Sequence, residues 1–434
     1  MHEQQVNQQI GHLFRHEAGK MAAVLTRLLG FQRFDLAQDI VQDTLLKAMN
    51  VWKVKGIPEN PSAWLYTVAK RKAIDWLRQQ KLHEGIHAEI SLALQSEWTL
   101  SPTVNQLFLD NEIEDSQLRM IFACCHPSIS YESQIALTLK TLCGLSISEI
   151  AQSFLTNDET ITKRLYRARE KIREEKISLD APAPATFPGR LDAVLHTLYL
   201  LFNEGYNSSH PDQLIRTDLC EEAIRLCLLL TRNTLTDLPK TRALLALMCF
   251  QASRGDARLN HDGSIILLKD QDRKQWNKSL IERGKFYLER SAEGDDITEY
   301  HLEAMIASCH ADAMSFENTN WKIIHGLYTA LLEIKPSPIV EMNKAIALAY
   351  LDSFQKGLEA LKKIEGLDHS HLYHSALGDF YFETGNKIEA CHHYHQAEQL
   401  THSNTDKQLL DQKIESCSQV VGLNNETITK NTAL

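Results

Sequence analysis

The stretch LSISEIAQSFLTNDETITKRLYRAREKIREE, residues 145–175, decides the fold of this chain. Ile161, Leu165, Ala168 and Ile172 recur at helical spacing and make one apolar stripe. Lys163, Arg164, Arg167, Lys171 and Arg173 occupy the rest of that helix. Asn157 or Thr156 supplies a cap for the orphan amides at its start, and Asp158 and Glu159 suit the positive end of its dipole. A shorter amphipathic helix, roughly Ile147 to Leu155, follows Gly144, with a tight polar turn between the two. The pattern predicts a helix-turn-helix whose second helix fits a DNA major groove, with basic side chains toward phosphates and base edges. The competing reading is a solvated basic face on an ordinary helical hairpin.

Working outward, the charge balance supports the first reading. The net charge of −10 is unevenly distributed over the 434 residues. Residues 1–81 carry 12 Lys and Arg against 7 Asp and Glu, and residues 163–176 carry 7 against 3. Residues 82–118 hold 7 acids and no Lys or Arg. Two basic islands separated by an acidic spacer suggest two DNA-facing modules, each with its own electrostatic footprint. A hydrophobic content of 43% with 24% charged residues is ordinary for a soluble chain, and no apolar run reaches membrane-spanning length. The start MHEQQVNQQIGHLF lacks the pattern of a signal peptide. Nine scattered cysteines argue against a disulfide framework, so a cytoplasmic location is expected.

Most of the chain repeats at helical spacing, and the expected class is all-α. Residues 8–81 form a first helical module, 82–114 an acidic linker, and 115–176 a second module ending in the helix-turn-helix. A Pro-rich joint, 177–188, includes DAPAPATFP and interrupts helix. Residues 189–434 form a helical, acidic C-terminal domain. A 34-residue frame from His371 places Leu377, Gly378, Tyr381, Ala390, Tyr394 and Ala397 at the small and aromatic positions of a tetratricopeptide (TPR) repeat. Ala345, Leu348, Leu361 and Ile364 fit one frame earlier, so TPR-like repeats are expected near 304–404. A generic helical bundle is the alternative.

In the first module, Asp35 and Gln38 read as a capping box. Leu36, Ile40, Thr44, Leu45 and Ala48 then face a core, leaving Asp39, Gln42 and Asp43 as a polar patch on the other side. Asn60 caps the next helix, with Pro61 in its first turn. Lys70, Arg71, Ile74, Arg78 and Lys81 cluster on one side of it, with Trp64 at the edge, opposite Leu65, Val68, Ala69, Ala73 and Trp76. A basic stripe interrupted by an apolar residue suits phosphates and exposed bases. Cys124-Cys125-His126 and the Cys391-His392-His393-His395 cluster lack the paired spacing of structural zinc, and no metal or other cofactor is expected. Asn203-Glu204-Gly205-Tyr206 reads either as a site for a buried carboxylate or as a helix end with Gly205 as its stop. No phosphate loop, nucleotide fingerprint or nucleophile elbow is present, so no enzymatic activity is expected.

Taken together, the two modules resemble the extracytoplasmic-function (ECF) sigma factors. DLAQDIVQDTLLKA (35–48) and NPSAWLYTVAKRKAIDWLR (60–78) are similar to the two signature helices of the family's polymerase-binding and minus-ten module. ALTLKTLCGLSISEIAQSFLTNDETITKRLYRAREKIRE (136–174) is similar to its minus-thirty-five-binding helix-turn-helix. The resemblance implies core RNA polymerase and promoter DNA as partners. It places Asp39, Gln42 and Asp43 against the polymerase clamp helices. It places Asn60, Trp64, Lys70, Arg71, Ile74 and Arg78 at the melted minus-ten element, and Lys163, Arg164 and Arg167 on the recognition helix. Asp43 stands where the family more often has Glu, and Lys70-Arg71 where Arg-Asn is common. FPGRLDAVLHTLYLLFNEGYNSS (187–209), LLKDQDRKQWN (267–277) and the repeats look like the long subgroup with a fused helical domain. That resemblance implies control by this domain in place of a separate membrane anti-sigma factor; a protein partner for the repeats, and no membrane partner, are expected. A one-component helix-turn-helix regulator with a TPR sensor is the rival reading.

Overall fold

The computed structural model of the chain describes residues 2–80, 97–154, 156–179, 187–207, 215–260, 263–294 and 296–431. Lys81, residues 82–96 of the expected linker, Leu155 and residues 180–186 of the Pro-rich joint lie outside them. Among the described residues every regular element is helical, apart from one isolated antiparallel bridge between Leu259 and Ile265. The all-α class expected from sequence is what the structure has. No helix among these residues is long and apolar enough to cross a membrane. The chain divides into two compact units, Met1–Leu201 and Phe202–Leu434.

The first unit contains α1 (His2–Leu29), α2 (Phe34–Lys55), α3 (Pro61–Gln80), α4 (Glu97–Leu107), α5 (Asp110–Cys124), α6 (Tyr131–Thr141), α7 (Ile147–Ser153) and α8 (Asp158–Glu174). It also contains most of α9 (Phe187–Tyr206), within which the boundary between the units falls. On α1, Met21, Leu25 and Leu28 present an apolar face that gathers Ala37, Ile40 and Trp52 of α2 and Leu65, Ala69 and Ala73 of α3. Val104, Leu107, Phe108 and Ile113 complete the same core. Most of residues 97–114, expected to be linker, are thus helical and carry core side chains. The apolar triplet at 104, 107 and 108 is short, and the acids around it mask its periodicity.

Two contacts fix α1 further. Arg27 is buried, with Nη1 at 2.9 Å from Glu112 and 3.0 Å from Asp115 of α5. Gly19 approaches the end of α6 so closely that a Cβ there would lie 2.0 Å from the carbonyl oxygen of Leu142. The expected capping box at Asp35 does not form: Arg33 is the N-cap of α2 and no side chain caps it. Asp35 pairs instead with Arg169 at 3.2 Å and Arg173 at 3.8 Å, both on α8. A charged partner distant in sequence takes the carboxylate that a local amide could have used.

α9 begins beyond the Pro-rich joint, yet its first part belongs to the first unit. Phe187 lies 5.5 Å from the Phe122 ring, Arg190 donates to the Phe122 carbonyl, and the Cys125 thiol donates to Thr197 at 3.5 Å. Leu191, Val194, Leu195 and Leu198 are fully buried. A domain boundary at residue 189 would strip this apolar face from its partners.

The second unit continues with α10 (Thr217–Leu230), α11 (Pro239–Ala252), α12 (Lys278–Ser291), α13 (Glu299–Asp312), α14 (Trp321–Ile334), α15 (Pro338–Leu351), α16 (Phe354–Leu361), α17 (His371–Glu383), α18 (Lys387–Leu400) and α19 (Asn404–Asn431). Gly205 sits inside α9 rather than stopping it, and a Cβ there would lie 2.8 Å from the Cys220 amide nitrogen. Its role is close helix crossing. The later helices pair as hairpins with small residues under large ones. A Cβ on Gly378 would lie 2.5 Å from the Tyr394 ring, and Leu377, Ala390 and Ala397 are buried around it. Between α11 and α12 the chain forms a strap of short turns through LLKDQDRKQWN. Trp276 holds the strap between guanidinium groups, Arg273 at 4.1 Å and Arg254 at 5.3 Å from its ring, while Arg273 donates to the His310 carbonyl at 2.8 Å. Burial first, then those two arginines, push His310 down to about 3, so its imidazole is neutral in the working pH range.

All nine cysteines are free, and only Cys309 and Cys391 are partly exposed. Burial pushes the Cys125 thiol up to about 11. No group of three or more metal-ligating side chains occurs among the described residues.

Two substitutions test the packing. Gly19→Ala gains helix propensity worth about 1 kcal/mol, yet its methyl group meets backbone that cannot rotate away. A net loss of about 1–3 kcal/mol is expected, read as a lowered Tm of the full chain by circular dichroism. In the second unit Arg242 is buried, 2.7 Å from Asp237 and 2.5 Å from Glu293. Arg242→Ala leaves Asp237 to the longer Arg290 pair at 3.8 Å and is expected to cost about 1.5–3 kcal/mol, read as a drop in the denaturant midpoint.

Candidate nucleic-acid interface

The second helix of the helix-turn-helix forms as its sequence directs. Asn157 accepts from the Thr160 amide at 2.8 Å and caps α8, and Ile161, Leu165, Ala168 and Ile172 are buried. α7 opens with a reciprocal cap: Glu149 accepts from the Ser146 amide at 2.7 Å, and the Ser146 hydroxyl accepts from the Glu149 amide at 3.1 Å. Ser148 donates to Asp158 at 2.6 Å, pinning the two helices across their turn. Gly144, with φ of 65°, allows the chain to leave α6 and enter α7.

The basic side chains of α8 then divide by position. In its C-terminal half, Arg169 and Arg173 pair with Asp35, and Lys171 pairs with Glu174 and Glu175. In its N-terminal half, Lys163 makes an exposed pair with Glu159 at 2.7 Å. Arg164 is half-buried and Arg167 exposed, and neither has an ion-pair partner among the described residues. Tyr166, 60% exposed beside them, is absent from the residues singled out by sequence. An aromatic side chain outside the apolar stripe is the signal that marks it. The surface available to a groove is therefore the first half of the helix, the part that reads base edges in helix-turn-helix proteins.

On α3 the expected stripe separates into two sets. Asn60 is exposed and caps the helix, its side chain accepting from the Ala63 amide at 3.0 Å. Trp64 turns inward and meets Trp52 edge-on at 5.6 Å, and Ile74 packs on the core. The Lys70 ammonium lies 5.2 Å from the centre of the Phe108 ring, and burial lowers its pKa. Arg71 and Arg78, seven residues apart on one face, remain exposed without ion-pair partners among the described residues. Beneath them Tyr66 donates to Glu17 and ties α3 to α1. Burial alone would raise the Glu17 pKa, but hydrogen bonds from His16, Tyr66 and Lys20 hold it down at about 2.

Asp39, Gln42 and Asp43 are all exposed on α2, with Asp43 paired to Lys72 at 2.6 Å. Leu46 and Met49 continue the same face, 57% and 56% exposed. Their spacing of three to four residues from the polar patch makes one mixed acidic and apolar strip. Sequence reasoning placed Leu36, Ile40, Thr44, Leu45 and Ala48 toward the core and gave Leu46 and Met49 no role. The signal for these two was their place off the stripe that Ile40, Thr44 and Ala48 define.

Comparisons with known proteins agree with this geometry. Residues 13–83 match Sigma-70 region 2 and residues 119–172 match Sigma-70 region 4. Residues 190–292 match a family of unknown function, DUF6596. An uncharacterized protein of Rhizobium meliloti is 32% identical over 364 residues, 83% of this chain and 85% of its own. RNA polymerase sigma factor SigV of Bacillus subtilis is 28% identical over 139 residues, 32% of this chain and 75% of its own. The ECF RNA polymerase sigma-E factor of Haemophilus influenzae is 31% identical over 162 residues, which cover 36% of this chain and 82% of that factor. With both sigma regions in order and that coverage, the chain belongs to the extracytoplasmic-function family of RNA polymerase sigma factors.

Proposed function

We propose that this sigma factor docks on core RNA polymerase through the exposed strip of α2 and directs promoter-specific initiation, under the control of its own C-terminal helical domain. As a sigma factor it is an initiation factor rather than an enzyme. In this reading Asp39, Gln42 and Asp43 meet the polymerase, with Leu46 and Met49 adding apolar area. Arg71 and Arg78 follow the opened minus-ten strand, while Asn60, Trp64, Lys70 and Ile74 hold α3 in place for them. Lys163, Arg164, Tyr166 and Arg167 face the upstream duplex. The observation that carries the proposal is the division of charge on α8: among the described residues Arg164 and Arg167 of its N-terminal half have no ion-pair partner, while Arg169, Lys171 and Arg173 of its C-terminal half are engaged.

The regulatory part is our reading of the second unit as TPR-like, and the small residues packed under large ones in its helix hairpins support it. Such hairpins stack into surfaces that bind protein partners.

Core polymerase supplemented with the full chain, or with a chain ending at Leu201, separates the parts. The cut is placed after Leu201 because α9 completes the first unit. Specific initiation with either chain is expected, and the difference between them gives the sign of the control. If neither initiates on a genomic promoter library, the one-component regulator replaces this reading. Arg167→Ala is expected to weaken upstream promoter binding by about 1–3 kcal/mol, measured by fluorescence anisotropy at fixed salt. Replacing Asp39 and Asp43 together with Lys is expected to abolish co-purification with core polymerase while leaving the circular dichroism spectrum unchanged. The exposed Lys72 pair lost with Asp43 is worth less than about 1 kcal/mol.

A further inference from the structure

The second unit contains a cavity of about 910 Å³, at the upper end of ordinary ligand pockets. One wall is aromatic and continuous. Trp321 stacks on Tyr350 at 4.7 Å, Phe316 meets both at 5.2 and 5.0 Å, and Phe354 meets Tyr350 at 5.4 Å. The strap segment Ile265 to Asp270 lines the cavity as well, so the motif that anchors Trp276 also shapes this space. Three carboxylates border it: Asp270, Asp379 and Glu383. Asp379 is engaged, accepting from Lys413 at 2.7 Å and from Tyr394 at 2.7 Å. Asp270 and Glu383 make no ion pair among the described residues, and both are exposed. Burial first, then the fields of Asp379, Glu383 and Asp270, push Tyr350 up to about 12. The three acids therefore converge electrostatically on the aromatic wall. Lys269, exposed beside Asp270, is the remaining cation of the lining once Lys413 is neutralised.

We infer that this cavity is a binding groove for an extended, cationic peptide segment in which Arg or Lys alternates with apolar residues. An extended chain sends successive side chains to opposite sides. One set can lie on the Phe316–Trp321–Tyr350–Phe354 wall while the other reaches Glu383 and Asp270. Aromatic faces flanked by unpaired carboxylates favour cations twice, through ring quadrupoles and through charge. The volume exceeds what a single small ammonium ion would fill. Binding at this groove needs neither polymerase nor DNA, so the inference stands apart from the promoter assignment.

The test titrates the full chain into fluorescein-labelled hexapeptides of alternating Leu and Arg, Leu and Glu, and Leu and citrulline, followed by anisotropy. Saturable one-to-one binding of the Arg peptide, at least tenfold tighter than the other two, is expected. Glu383→Gln and Asp270→Asn, near-isosteric changes at exposed positions, should each weaken it at least fivefold, and Trp321→Ala more. Glu282→Gln, at an acid outside the cavity, should leave affinity unchanged. Equal binding of the Glu peptide, equal loss in Glu282→Gln, or no saturable binding of the Arg peptide overturns the inference. Saturation by free spermidine with no binding of the Arg peptide also overturns it, and would assign the groove to small cations.

Discussion

The packing of α1 against α5 and the end of α6 is the constraint on which the first unit depends. A buried guanidinium is costly unless it is paired, and Arg27 answers this with Glu112, Asp115 and Ser116 on one helix. The pairing fixes the azimuth of α1, because only one rotation points residue 27 at α5 and Met21, Leu25 and Leu28 at the core. Gly19, on the same helix, then brings backbone against backbone at Leu142. With α1 set, α2 and α3 take their places over it, and their outward faces follow without further specification. The acidic and apolar strip on α2 and the Arg71–Arg78 face on α3 are what remains once the core has taken its share.

Features encoded within a few residues were legible in the sequence. The cap at Asn157, the stripe from Ile161 to Ile172 and the cap at Asn60 rest on contacts three or four residues apart, and periodicity reports such contacts. Features that depend on distant chain were not. Asp35 has the local pattern of a cap, but its partner Arg169 lies far along the chain, on α8. Lys70 sits on the basic side of its helical wheel, yet Phe108, 38 residues further along the chain, covers it. The membership of α9 in the first unit is hidden for the same reason. Its apolar face is plain in the sequence, but the helices it lies on are not.

In the second unit, the LLKDQDRKQWN motif stood out by composition without declaring a role. Its charged and aromatic residues hold one another: Arg273 and Arg254 flank Trp276, and Arg273 reaches the His310 carbonyl. Guanidinium groups on an indole face are effective where water is scarce. They allow an irregular strap to be held in place without a strand partner. In the later hairpins, by contrast, Gly378 under Tyr394 and Gly357 under Phe380 belong to an apolar pattern that the sequence itself displays, whereas the strap has no periodic pattern to read.

The distribution of thiols has a practical corollary for spectroscopy. Seven of the nine cysteines are buried, and burial keeps thiols such as Cys125 protonated and unreactive. A maleimide dye offered to the native chain meets Cys309 and Cys391 first, and both lie in the second unit. The natural sequence thus carries two addressable handles there and none in the first unit. A single cysteine engineered on the outer face of α2 or α8 would supply the complementary position for distance measurements in solution.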